Sequence, residues 1–290
     1  MIRPTTFRFN EQTCESNRFQ VSKNSSPSDL DNCLEEFNGL QNLLRSGGIN
    51  IFEFTEPDGA DTPDALFPNN SLATFPHGKV VVFPMQAPNR RKEVREDILD
   101  FLGQQKRERI DLRSYLKPDE ILEGTGSLVL DYARRKGYAC LSARTNPAAI
   151  RVFEEKLGYK IFCFQACDQE NFPIYHTNVM MALGSDNAIV CLESLTHESE
   201  RKALVRELSA DGFSLIEITM AQMNCFAGNM LQLINERGEK FWFCSTRAFR
   251  SLNALQVREL ERSARVLHCK LDTIENIGGG GLRCLLAGLF

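Results

Sequence analysis

The chain has 290 residues, 42% of them hydrophobic and 25% charged, with a formal net charge of −4. That length can bury a large core, and the small charge, without any lysine or arginine block, argues against nucleic acid as a partner. Residues 1–30 hold no apolar stretch behind a basic start, and no segment approaches the roughly 18 apolar residues of a membrane span, so a soluble, cytoplasmic protein without a membrane partner is expected.

In chain order, the first signal is an extended segment over 5–9. A helix over 29–45 follows, with Leu30, Leu34, Phe37, Leu40 and Leu44 on one face and a stop at Gly47-Gly48. A strand is predicted over 49–54, then a hairpin from 71–75 through His77-Gly78 into 79–83, and a strand over 109–113. The next hairpin joins 127–130 to 138–142. Asn146-Pro147 then opens a helix carrying Ile150, Phe153 and Leu157 on one face, stopped by Gly158. A strand over 159–165 precedes a hairpin from 179–183 through Ser185-Asp186-Asn187 into 188–192. Thr196 opens a helix through Leu204 and Leu208, which ends at Asp211-Gly212, and a strand covers 213–218. The last full hairpin joins 230–234 to 240–244 across Glu236-Arg237-Gly238, and a strand over 266–271 leads to the incomplete segment 282–290.

These elements repeat. The hairpins begin near Asn69, Thr125, Thr177, Gly228 and Gly281, in steps of 56, 52, 51 and 53 residues. Five ββαβ units are implied. Because the fifth lacks a strand while the N-terminus supplies an extended one, the termini are expected to close a ring, which removes exposed edges and makes 1–290 one domain of α/β class.

If the units are equivalent, the polar residues at each hairpin start converge at the centre: Asp64 with Asn69 and Asn70, Glu123, His176 with Asn178, Asn229, and Cys284. Such a set is improbable as core packing, since each group would need a partner or remain a desolvated cost. It suits nucleophilic chemistry. The four glycines Gly278–Gly281 ahead of Cys284 point to a backbone approach that no Cβ would allow. Ten cysteines occur without a CxxC pair, and Cys140, Cys163, Cys191 and Cys244, inside apolar runs, are expected to be reduced core residues. The four histidines show no zinc-binding spacing, and Gly124-Thr125-Gly126 lacks the third glycine of a dinucleotide fingerprint, so neither a metal nor a cofactor is expected.

Together these residues resemble the pentein superfamily of guanidine-modifying enzymes, the arginine deiminases, agmatine deiminases and amidinotransferases. The segment Gly279-Gly280-Gly281-Leu282-Arg283-Cys284 is similar to the superfamily's nucleophile segment, and Leu122-Glu123-Gly124 to its Glu-Gly motif. His176-Thr177-Asn178 is similar to a His-x-Asp motif except at its last residue. The resemblance covers nearly the whole chain and implies a five-bladed α/β propeller (pentein fold) without metal or organic cofactor. It implies Cys284 as nucleophile, His176 as general acid and base, Glu123 as the partner of that imidazole, and Asp64 gripping the substrate. It further implies Arg144 and one of Arg90 and Arg91 on the α-carboxylate of a small amino-acid substrate, with Asn69, Asn178 and Asn229 as further substrate contacts.

The wording around Asp64, Glu123 and His176 is most similar to bacterial amidinotransferase-related hydrolases of the citrulline ureidase type, which yield ornithine, carbon dioxide and ammonia. Asn178 supports that choice, because an asparagine NH₂ can donate to a ureido oxygen where a carboxylate would repel it. An arginine deiminase or amidinotransferase is the first alternative, and a non-catalytic pentein binding protein the second.

Overall fold

The computed structural model describes residues 1–21, 26 and 28–290, among which five small sheets are separated by helices. Four sheets have three strands each and share one topology. Leu72–Phe75 pairs antiparallel with Lys79–Val82, which pairs parallel with Glu108–Asp111. Val129–Asp131, Lys136–Cys140 and Lys160–Phe164 repeat the pattern, as do Met181–Leu183, Asn187–Val190 and Ser214–Glu217. Leu231–Ile234, Lys240–Ser245 and Arg265–Cys269 form the fourth. The parallel third strand requires a crossover, which the helix between the second and third strands supplies.

The helix Pro147–Leu157 shows why these segments fold as they do. Asn146 Oδ1 accepts the backbone N–H of Ala148 at 2.7 Å, proline occupies the first turn, and Gly158 ends the helix at φ 72°. Its buried face packs Phe153 against Phe75 and Tyr159, with ring centroids 5.8 and 5.5 Å apart. The helix Asp29–Ser46 likewise buries Cys33, Phe37, Leu40 and Leu44.

The fifth unit differs from the expected hairpin. The segment over 5–9 forms no strand; Ile2–Arg3 instead pairs parallel with Phe54–Thr55, only two residues pair, and the strand expected over 49–54 shrinks accordingly. Residues 286–290 form no strand. They are tied to the first sheet through Thr74, whose hydroxyl donates to the Gly288 carbonyl at 2.7 Å and accepts from the Phe290 N–H at 3.3 Å. No closed sheet results. The helix expected from Thr196 begins at Glu198, with His197 as its cap residue. Cys163 is exposed rather than buried, because its strand is the outer one of its sheet; Cys140, Cys191 and Cys244 are buried, and all ten thiols are free.

Three hairpin starts, expected as extended strand, fold instead as single helical turns: Gly124–Ser127, Thr177–Met180 and Leu282–Leu285. Each turn presses against its neighbours. Gly124, at φ +45°, has its α-carbon so close to the first unit that a Cβ would lie 2.3 Å from the Asn69 carbonyl oxygen. No side chain fits there. No helix among the described residues is long and apolar enough to cross a membrane.

Candidate active site

The turns bring Asp64, Asn70, His176 and Cys284 to one small cavity, lined also by Arg90, Arg144 and Tyr175. Gly278–Gly280 form its wall, and Gly279 sits at φ +65° with Asn17 and Gln20 where a Cβ would be. The glycine run thus does permit the close approach that its sequence implied. The cavity, about 10 Å³, is roughly the size of one water molecule.

Glu123 lies behind His176. Its Oε2 is 2.8 Å from His176 Nε2, and its Oε1 accepts the Gln86 N–H at 2.9 Å. Arg144 Nη1 donates to the same Oε2 at 3.4 Å, and Arg90 Nη1 stands 3.7 Å away. Burial alone would raise the Glu123 pKa, but Arg144, His176 and Arg90 outweigh it and hold the carboxyl well below the usual carboxylate range. Burial dominates at His176 and lowers its pKa to about 4 in spite of Glu123. The imidazole is therefore neutral at pH 7. Since an ionised carboxylate only accepts, Nε2 carries the hydrogen and Nδ1 the lone pair.

Cys284 lines the same cavity and is held by two amides of its own. Asn178 Nδ2 donates to its sulfur at 3.5 Å and Asn229 Nδ2 at 3.4 Å, while Asn229 also donates to the Asn178 carbonyl at 2.8 Å. Burial nevertheless raises the thiol pKa above its ordinary value; Asn229, Arg283 and Asn178 pull the other way and fall short. The Cys284 thiol and the His176 imidazole are thus both neutral.

Asp64 Oδ2 accepts from Asn10 Nδ2 at 2.8 Å, whereas Oδ1 is buried with no partner among the described residues. Arg90 is clamped by Glu93 at 2.8 and 3.0 Å and by Asn70 Oδ1 at 2.9 Å. Burial works against its charge, but Glu93, Asp64 and Glu123 more than reverse this and raise its pKa. Arg144 gives Nε and Nη2 to Ser16 Oγ at 3.0 and 2.7 Å and a further bond to the Thr13 carbonyl, and its guanidinium lies 4.8 Å from the Tyr175 ring centroid.

Not every expected residue arrives. Arg91 bonds the backbone carbonyls of Met85, Gln86 and Pro118 and does not reach the cavity, because it turns outward from the short helix Arg90–Glu93. Asn69 is buried, but its side chain does not line the cavity and its amide has no partner; its carbonyl instead receives Thr125 at 2.9 Å. Asn178 and Asn229 attend the Cys284 sulfur and do not line the cavity.

Residues overlooked in the sequence complete the enclosure. Asn10, Thr13, Asn17 and Gln20 are buried in the segment that covers the cavity, with Asn17 Nδ2 on the Gly279 carbonyl at 3.2 Å and Gln20 Nε2 on that of Ile277 at 3.1 Å. That stretch has no apolar period, so nothing in its pattern announced burial. Tyr175, whose hydroxyl donates to the Gly279 carbonyl at 2.8 Å, could have been found beside His176. No group of three or more His, Cys, Asp or Glu among the described residues could hold a metal ion.

A family model described as N,N dimethylarginine dimethylhydrolase, eukaryotic, matches residues 3–290. No curated protein matches the chain. Among solved structures, ArgZ, an arginine dihydrolase from the ornithine-ammonia cycle in cyanobacteria, superposes with a TM-score of 0.77 at 15% identity; the match covers 98% of this chain and 39% of that one. Against the N-terminal domain of ArgZ alone, in a substrate-bound cysteine-to-serine variant, the TM-score is again 0.77 at 15% identity, and coverage is 98% of this chain and 95% of that domain. A dimethylarginine dimethylaminohydrolase bearing an S-methyl-L-thiocitrulline adduct gives 0.64 at 18% identity, with 98% and 96% covered.

Proposed function

Because the chain belongs to the N,N dimethylarginine dimethylhydrolase family, within the pentein superfamily of cysteine-dependent C–N hydrolases, we propose that it hydrolyses the guanidinium of a free arginine-type amino acid through a covalent adduct on Cys284. The observation that carries this reading is the neutrality of the resting pair. The Cys284 thiol is pushed up by burial in spite of Arg283, His176 is held near 4, and the described cavity cations Arg90 and Arg144 are held by Glu93, Asn70, Glu123 and Ser16. A guanidinium brings a further positive charge; a ureido group does not. The unpartnered Asp64 Oδ1 is the acceptor that waits for its N–H groups.

The thiol proton passes to His176 Nδ1 as sulfur bonds the guanidinium carbon. The same proton leaves with the departing amine when the C–N bond breaks. Water then adds to the adduct, giving one proton to His176, which returns it to sulfur as the C–S bond breaks; the other leaves to solvent or the departed amine, carrying off the charge the guanidinium brought and releasing a neutral ureido product. Glu123 fixes the imidazole and supports its transient charge. Arg144 takes the substrate α-carboxylate in place of Ser16 and Thr13, and Arg90 aligns Asp64 and Glu123. An amino acid needs more room than the present cavity offers, so the covering segment, residues 10–20, must yield on entry. We read the five sheets as blades of one five-fold α/β propeller and 1–290 as one catalytic domain.

The test is a substrate panel of L-arginine, N-methylated arginines and citrulline, assayed for amine, ammonia and ureido products. Guanidino substrates are expected to turn over and citrulline to be inert. Release of ornithine from citrulline with arginine untouched would overturn the reading in favour of a ureidase.

A further inference from the structure

A second cavity lies on the reverse of the same turns. It is a chamber of about 840 Å³, in the range of sites that enclose a small organic molecule. Pro68, Thr125, Asn178 and Arg283, each within two residues of a residue of the catalytic site, line it on this side. Its walls are the strands that open the four hairpins, together with residues 286–290, and are mostly apolar.

Among the charged side chains of the lining, Arg283 stands apart. Its guanidinium donates Nη1 to the Leu286 carbonyl at 2.8 Å, and no carboxylate among the described residues lies within ion-pair distance. The acidic side chains of the walls are engaged elsewhere: Asp131 with Arg134 at 2.8 Å, and Glu236 with Asn50 Nδ2 at 2.6 Å. Arg283 is half-buried and lines the chamber, so a ligand carboxylate could meet its guanidinium through two parallel hydrogen bonds. The apolar walls favour a hydrocarbon body on the same ligand.

We propose that this chamber binds an amphipathic monocarboxylate, with its head on Arg283 and its apolar tail along the hairpin strands, on the far side of the turns from the catalytic cavity. Such a ligand would also be heard at the nucleophile. Arg283 immediately precedes Cys284, and its positive charge favours the thiolate. A carboxylate that neutralises it makes the thiol less reactive, and by linkage an ionised Cys284 weakens the carboxylate.

Calorimetric titration of the full chain with decanoate, decanol and decylammonium tests this, alongside the rate of Cys284 alkylation by iodoacetamide. Decanoate is expected to bind about tenfold or more tighter than decanol, and to slow alkylation by about tenfold at saturation. Arg283→Met should erase the preference for the carboxylate, and Arg283→Lys should keep part of it. Equal binding of decanoate and decanol to the unaltered protein would overturn the proposal without any variant. So would undiminished decanoate binding by Arg283→Met, which would assign the ligand to the cationic residues of the catalytic cavity instead.

Discussion

Phe153 and Arg144 are both fully enclosed and stand nine residues apart in the chain, yet they are held by opposite means. Phe153 sits in a cluster with Phe75, Phe83 and Tyr159, where any apolar side chain of similar volume gains nearly as much. Arg144 is buried only because Glu123, Ser16, the Thr13 carbonyl and the Tyr175 ring surround it. The units between sheet and helix are thus tolerant in detail, while the central partition is intolerant. There each polar group depends on a specific partner, and several atoms (Asp64 Oδ1, Asn70 Nδ2, Asn178 Oδ1) have none among the described residues. A folded region that leaves polar atoms unsatisfied gives up stability for readiness to bind.

Separating the two regions by mutation gives the largest effect first. Cys284→Ala should lower turnover on the order of 10⁴-fold or more, while the melting temperature moves by only a few degrees. Steady-state assay with calorimetry checks this, and retained turnover would remove Cys284 from the chemistry. Phe153→Ala should do the reverse, costing about 3–5 kcal/mol of stability in urea unfolding with kcat of the folded fraction preserved. A loss of kcat without loss of stability would show that the two regions are not separable.

The pH response sharpens the same contrast. Between pH 6.5 and about 4 the unfolded chain protonates His176 while the native state does not, so its contribution is complete above pH 6.5 and is lost as pH falls toward 4. Each pH unit across that window is worth about 1.4 kcal/mol from this group. His176→Gln should flatten the dependence of denaturation midpoints over that window, and an unchanged slope would mean that the native imidazole titrates normally. The smallest effect is expected from Asn178→Asp, which replaces a donor to sulfur by an anion. It should slow alkylation of the free enzyme by about tenfold at pH 7, one unit of thiol pKa. If alkylation is unchanged and only KM shifts, Asn178 serves the substrate and not the nucleophile.

The repeat and its chemistry were legible in the sequence because both are local. Alternating apolar runs, an Asn-Pro cap and a Gly stop each act within a few residues, and four three-stranded sheets follow the spacing they set. Equivalent positions in a repeat then implied that Asp64, Glu123, His176 and Cys284 meet. Only the tertiary structure decided which polar residues reach the cavity and which way each side chain turns. It sent Arg90 inward and Arg91 outward, folded the hairpin starts into helical turns, and assigned Asn178 and Asn229 to the sulfur. It also drew the polar segment around Asn10–Gln20 over the site and opened a chamber behind Arg283. These outcomes depend on contacts between units more than fifty residues apart, such as the Gly124 backbone against Asn69 and Asn17 against Gly279, and a pattern read along one segment carries no record of what packs across from it.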